Sequence, residues 1–454
     1  MKNIKSISKS KFDLYRWTYE ALPKFLGEEI AWFSDPHEKI LATIIHDSCD
    51  LDFAAVLLGK DEIGKIRCFD SEANFPSPNE AVQWISEKID SLHNHSDIFP
   101  QNDCELQKKL ELFKDVVIEE KQHVNYKILK DKFEWNSARH LIEKIMPYYI
   151  DIDGNFIQQF QSTGFNQRLW ELFLFNYFIE EHKKIDRTRC SPDFVIYNEN
   201  FENSAIGIEA VTISSQSKKI DFNSLENNAH NNNLPHNNMA ILWSGALYNK
   251  LTHTSQEKKG DKKTHYWEKA GLRKKPFVIA IQNFYDESKE SIELSILNEL
   301  LFGYDFTKNP PRKVGSYTKA NGTKIPSGFF FNQDNVEHLS AVIATPLGIL
   351  SKFNRIGKER GFDKQNTIMF NQGICKNDFQ IENFVYQVKE HELVHEMWSD
   401  GIVVIHNPNA LYPLPNNFFP NACHIHFNPE TKKLSMHCNR VFPFQSKTTV
   451  FTSE

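Results

Sequence analysis

The sequence contains no apolar run of the roughly 18 residues that a membrane-spanning helix requires. Its first residues, Met1 to Ser6, lead into Lys9, Lys11 and Asp13 rather than into the apolar core of a secretory signal, so a cytoplasmic protein is expected. Cysteines are few, odd in number and scattered: Cys49, Cys68, Cys104, Cys190, Cys375, Cys423 and Cys438. Such a set predicts reduced thiols and argues against a disulfide framework. Internal repeats are absent, and so is an excess of positive charge. A net charge of -6 speaks against a general nucleic-acid coat and leaves local basic patches to be considered. What the chain does have is aromatic mass. Its 36 phenylalanines and an aromatic fraction of 13% argue against disorder, and 454 residues are ample for roughly two to three cores.

The pattern along the chain predicts an α/β protein (α+β overall) in three parts. Residues 1–103 open with strand-like runs at Glu29–Phe33, Ile40–Ile45, Phe53–Leu58 and Lys65–Phe69, separated by Asp35-Pro36, Gly59 and Gly64. A helix should follow, with Ser77 as N-cap, Pro78 at its first position and Glu80 completing a capping box. Residues 104–285 begin with a charged helical lead-in and continue into a denser segment. Residues 286–454 mix short strands with one predicted helix, Ile381 to Trp398.

The middle segment, from about Phe165 to Phe284, carries the functional argument. RLWELFLFNYFIEEH is apolar on nearly every face, which predicts a helix buried all round, and Glu171 is the one acid in its first turns. A buried carboxylate is costly unless it is paired or coordinated. Pro192-Asp193 opens a short strand, and Glu209 sits in the middle of a second strand, Ile206 to Ile213. A helix, Met239 to about His253, and an apolar strand, Pro276 to Ile281, complete a mixed sheet flanked by helices. Phosphodiester cleavage assisted by Mg²⁺ needs hard oxygen ligands and an activated water. Asp193 and Glu209 can converge on one ion, the Ala210 carbonyl is a further ligand candidate, and Glu171 can complete the shell. Each signal also has a plain structural reading. Glu171 can pair with Arg168 one turn earlier, Pro-Asp is a common turn dipeptide, and Glu209 can face solvent from an edge strand.

On these residues, Glu171, Pro192-Asp193 and Glu209-Ala210, the chain resembles the PD-(D/E)XK superfamily of nucleases. The stretches RLWELFL, PDF and IEAVT are also similar to a group of bacterial proteins assigned to that superfamily, and a looser likeness extends to LSAVIATPLGILSKFNRIG and GIVVIHNPNA. The resemblance implies a restriction-endonuclease-like core and a Mg²⁺ (or Mn²⁺) cofactor. It also implies DNA cleavage of the kind used in restriction or phage defence, with a homodimer or activating partner compatible with cutting two strands. The chain departs from the family pattern at Val211, where the motif has its lysine. Lys250, on the following helix, is the candidate replacement, with Lys218 behind it.

A basic run precedes the Pro276 strand: Lys258, Lys259, Lys262, Lys263, Lys269, Arg273, Lys274 and Lys275, with Tyr266 and Trp267 interleaved. It is a candidate phosphate-binding surface whose aromatics could stack on bases, against the plain reading of a solvated loop. Lys352, Arg355, Lys358 and Arg360 form a second, weaker basic stretch. Two further patterns point to metals. His391-Glu392-Leu-Val-His395 is a literal HExxH on the predicted helix, the signature of a zinc peptidase, although it lacks the extended third-histidine pattern. The predicted hairpin Cys423 to Cys438 would bring His424, His426 and His437 to one face. The leading expectation is a Mg²⁺-dependent nuclease; the alternatives are a zinc metallopeptidase and a non-catalytic nucleic-acid-binding protein.

Overall fold

A computed structural model describes residues 4–15, 27–92, 97–101, 110–189, 191–198, 204–214, 236–256, 262–284, 290–291, 294–319, 321–363, 367–377, 380–389 and 396–452. The N-terminal part is an antiparallel meander of five strands, β1 (Lys5–Ser6), β2 (Gly27–Ser34), β3 (Ile40–Asp47), β4 (Phe53–Lys60) and β5 (Ile66–Phe75), paired in chain order. Helix α1 (Pro78–Ser91) covers one face, placing Ala81, Ile85 and Ile89 on Ile40, Ala42, Ile44, Ala55 and Leu57. Its start is the one the sequence predicts: the Ser77 hydroxyl accepts from the Glu80 amide and donates to the Glu80 carboxylate at 2.9 Å.

The rest of the chain is organised by one mixed sheet. Its described strands are β6 (Lys183–Asp186), β7 (Phe194–Asn198), β8 (Ile206–Ser214), β9 (Phe277–Phe284), β10 (Leu339–Ala344), and three strands from the last third. In β11 (Ile368–Asn377) and β12 (Gln380–Val388) the chain leaves this sheet, and it returns as β13 (Val403–His406), β14 (Cys423–Asn428) and β15 (Lys433–Cys438). Spatial order is β15-β14-β13-β10-β9-β8-β7-β6, with β8, β9 and β10 parallel. Such central strands are buried on both faces, which explains why β9 and β10 read as continuous apolar runs rather than alternating ones. One face packs on α2 (Asn136–Ile145), α3 (Phe165–Glu180) and α6 (Leu350–Glu359); the other packs on α4 (His236–Leu251) and α5 (Leu294–Phe302). A smaller antiparallel sheet joins Glu290–Ser291, β16 (Phe442–Phe451), β11 and β12.

Three sequence expectations change here, and a fourth pattern falls outside the described residues. The boundary placed at 285/286 does not divide the large sheet, because β10, β13, β14 and β15 extend the one that β6 to β9 begin. The helix expected from Ile381 begins instead as strand β12, paired along its length with β11; the β-branched and aromatic residues Ile381, Phe384, Val385 and Tyr386 suit that pairing. HExxH at 391–395 lies outside the described residues. Cys423 and Cys438, opposed in the β14–β15 ladder, form a disulfide, so these two are not free thiols.

The second basic stretch is not a surface. Lys352 and Arg355 on α6 are fully buried, Arg355 pairing bidentately with Glu396 at 2.7 and 2.8 Å. Lys358 pairs with Asp363 at 2.6 Å. Beside them Glu359 is buried, and burial, followed by repulsion from Glu396, pushes its carboxyl up to about 8. A carboxyl raised on folding contributes stability that is complete below its unfolded pKa and is lost as pH rises toward the folded value. Unfolding free energy should therefore decline between about pH 4.5 and 8. Glu359→Gln should flatten that decline and stabilise the chain at pH 8 by a few kcal/mol, on the order of 1.4 kcal/mol per pKa unit. Urea titrations of both proteins across that range measure it; parallel curves would refute the assignment.

Candidate active site

The acids expected from the sequence meet at the β7–β8 pair. Antiparallel pairing sets Phe194 opposite Ile208, which brings Asp193, at the entry to β7, beside Glu209. The Asp193 carboxylate accepts from the Ala210 amide at 2.8 Å, and the Asp193 amide donates to Glu209 Oε2 at 3.2 Å. Alternation along β8 turns Ile208 and Ala210 toward α3 and leaves Glu209, Val211 and Ile213 on the α4 face. On that face Lys250, in the last turn of α4, reaches Glu209 Oε1 at 2.6 Å. Val211 packs among the apolar side chains under α4, so the strand supplies no lysine there and the helix does.

Tyr266 is the participant that sequence reasoning misassigned. Together with Trp267 it was a candidate base-stacking surface, yet both rings are buried. The Tyr266 hydroxyl donates to Glu209 Oε1 at 2.9 Å, and burial, then the Glu209 charge, pushes its pKa far up, so it stays a donor. An aromatic pair within a lysine run was a signal for an anchor as much as for a platform.

Glu171 lies on α3, where its plain reading is realised: Arg168 pairs with Oε2 at 2.8 Å. Tyr149 donates to the same oxygen at 2.8 Å, and Gln167 bridges Glu171 Oε1, at 3.2 Å, to the Ala210 carbonyl, at 3.3 Å. Tyr149 and Gln167 carried no sequence signal, since their roles arise only when α3 docks on β8.

The electrostatics of this group are unbalanced. Burial, then the charges of Glu209 and Glu171, push Asp193 well above the ordinary carboxylate range, with Lys250 the opposing influence. Burial also works against the Lys250 charge, but Glu209 and Asp193 outweigh it and hold the ammonium firmly protonated.

The basic run is less continuous than its sequence. Lys258 and Lys259, like Lys218, lie outside the described residues. Lys269 is buried with its ammonium on the Ser255 hydroxyl at 2.8 Å. Lys262, Lys263, Arg273 and Lys274 are exposed and Lys275 is half-buried. Lys262 and Arg273 help line an open depression of about 430 Å³ on the segment that supplies Tyr266.

The predicted histidine hairpin forms in register, His424 opposite His437. His406, which the sequence did not single out, joins His424 and His426. No helix among the described residues is long and apolar enough to cross a membrane. No protein-family model, no curated protein and no solved structure matches the chain.

Proposed function

We propose that the chain is a Mg²⁺-dependent nuclease that cleaves phosphodiester bonds in DNA. The observation that carries this reading is the meeting of Asp193, Glu209 and Lys250, drawn from three separate elements onto one sheet face. The donor set suits a hard divalent cation. It offers carboxylate and carbonyl oxygens, and its acids outnumber the nearby cationic side chains Lys250 and Arg168. Asp193 is held above the ordinary carboxylate range by burial first and then by the Glu209 and Glu171 charges, and a bound cation would offset that repulsion.

Asp193 and Glu209 would hold the ion, with the Ala210 carbonyl as a further ligand. When bound, the ion supplies Lewis acidity and lowers the pKa of an attacking water. Lys250 offers a fixed positive charge to the phosphate oxygens as charge builds in the transition state. Tyr266 holds the Glu209 carboxylate in place, and Gln167, hydrogen-bonded to Glu171, ties α3 to the Ala210 carbonyl of the strand that carries Glu209. The exposed Lys262, Lys263, Arg273 and Lys274 suit a phosphate backbone approaching from that side. The same reading places the enzyme in bacterial restriction or phage defence, as the family resemblance implies.

The test is cleavage of plasmid and single-stranded DNA with Mg²⁺ or Mn²⁺, wild type beside Glu209→Ala and Lys250→Met. Loss of cleavage in both variants, with folding retained by circular dichroism, is the expected result. Wild-type-like cutting by Glu209→Ala would place the activity elsewhere. DNA binding without cleavage by the wild type under either metal would instead favour a non-catalytic binding protein.

A further inference from the structure

A second constellation lies elsewhere on the large sheet. Strands β9 and β10 separate β13 from β8, and the side chains concerned point to the opposite face from Glu209. His406 ends β13; His424 and His426 alternate along β14, which runs parallel to it with Val404 beside His424 and Ile405 beside Ile425. Cys423, Ile425 and Phe427 take the α4–α5 face, so all three histidines share the other. Their ligating nitrogens lie within 4.8 Å of one another, and among the described residues no other group of three His, Cys, Asp or Glu side chains does so.

The hydrogen bonds set the tautomers. His424 Nε2 lies 2.9 Å from the Phe419 carbonyl, which can only accept, so this nitrogen carries the proton. His424 Nδ1 is then a lone pair that accepts from His406 Nε2, 2.8 Å away. An imidazole whose far N–H is tied to a backbone carbonyl is the usual outer-shell arrangement of a metal-binding histidine. The His406 and His426 rings stack at 4.1 Å between centroids with planes 14° apart, so one ring must turn about its side-chain torsions before both in-plane lone pairs meet at a common centre, while the backbone stays in place. Tetrahedral zinc with N–Zn bonds near 2.0–2.1 Å sets neighbouring nitrogens roughly 3.3 Å apart. The His406–His424 contact would therefore open by about half an ångström as the ion takes the place of the shared proton, His406 shifting to the neutral tautomer that carries its proton on Nδ1.

We infer that His406, His424 and His426 bind one late first-row divalent ion, zinc foremost, at a site separate from the acidic cluster. Three imidazoles without a carboxylate favour zinc over magnesium. The remaining position falls to water or to His437, which sits opposite His424 and is exposed. On the other sheet face the Cys423–Cys438 disulfide ties β14 to β15, so the hairpin histidines are positioned before any ion arrives. A bound ion would tie β13 to β14, the two strands inside the β15 edge of the sheet. This assignment is independent of the nuclease reading.

The experiment is zinc titration of the dialysed full chain by calorimetry, with Co²⁺ absorption as a report of coordination. The variants are His406→Gln, His426→Gln, Asp193→Asn and the double variant His391→Ala/His395→Ala. One zinc per chain, an intense tetrahedral Co²⁺ band and a zinc-dependent rise in Tm are expected for the wild type. His406→Gln and His426→Gln should weaken binding by more than the ~10–100-fold typical of outer-shell changes. Asp193→Asn and the 391/395 double variant should bind as the wild type does. Zinc lost only with His391 and His395, or no zinc in the wild type, would overturn the proposal. His426 is only partly buried, so that variant tests it even if His406→Gln fails to fold.

Discussion

Asp193→Asn is expected to abolish metal-dependent cleavage while raising the stability of the metal-free chain. The two effects share one cause. The Asp193 carboxylate is desolvated and faces Glu209 and Glu171, so its charge is unfavourable until a cation arrives. Asparagine keeps an oxygen to accept from the Ala210 amide, now met at 2.8 Å, and can donate toward Glu209. It removes the repulsion and, with it, the ligand. Relief of on the order of 1–3 kcal/mol is expected in urea unfolding with chelator present, against a loss of roughly 10³-fold or more in cleavage. Excess Mg²⁺ should stabilise the wild type and leave the variant unmoved. A variant that is less stable than wild type without metal would contradict this account of the site.

Arg355→Met should cost about 3–5 kcal/mol. The guanidinium is fully buried, holds both Glu396 oxygens and reaches the Thr448 hydroxyl on β16, so it joins α6 to the small sheet. Lys352 cannot take over. Its ammonium is 3.9 Å from Glu396 and is committed to the carbonyls of Trp398 and Asp400, and burial already pulls its pKa down. Removing the arginine leaves a buried carboxylate with its best partner gone. Adding Glu396→Met should recover most of the loss, because the penalty belongs to the orphaned charge. Denaturant midpoints of the two single variants and the double variant measure the coupling. A single variant as stable as wild type would show that the pair contributes nothing net.

Elements whose signal is local were legible in the sequence. The Ser77 cap, the all-round apolar helix at 165–180 and the strands carrying Asp193 and Glu209 follow from short-range pattern. The nomination of Lys250 followed from the missing lysine at Val211, and the structure sets its ammonium on Glu209. What failed depended on partners distant in the chain. The run from Ile381 looked helical until β11 supplied a ladder for it. The cations of 352–360 looked like surface until Glu396 and Asp363 met them in the interior. The contact of Tyr266 with Glu209 and the place of His406 among the histidines arise only from tertiary packing, which no single window of sequence encodes.

The strand order also governs how the chain can be made. Between β9 and its other parallel neighbour β10 lie more than fifty residues, and β13 to β15 follow much later. A ribosome that has released β9 has therefore delivered the acids and Lys250 but left the apolar edge of β9 unpaired. An open parallel edge is a template for the wrong partner, and long-range parallel pairing forms slowly. The nascent chain must wait for its last third before the centre of the sheet can close, so a gene truncated after Phe284 should yield aggregate rather than a minimal enzyme.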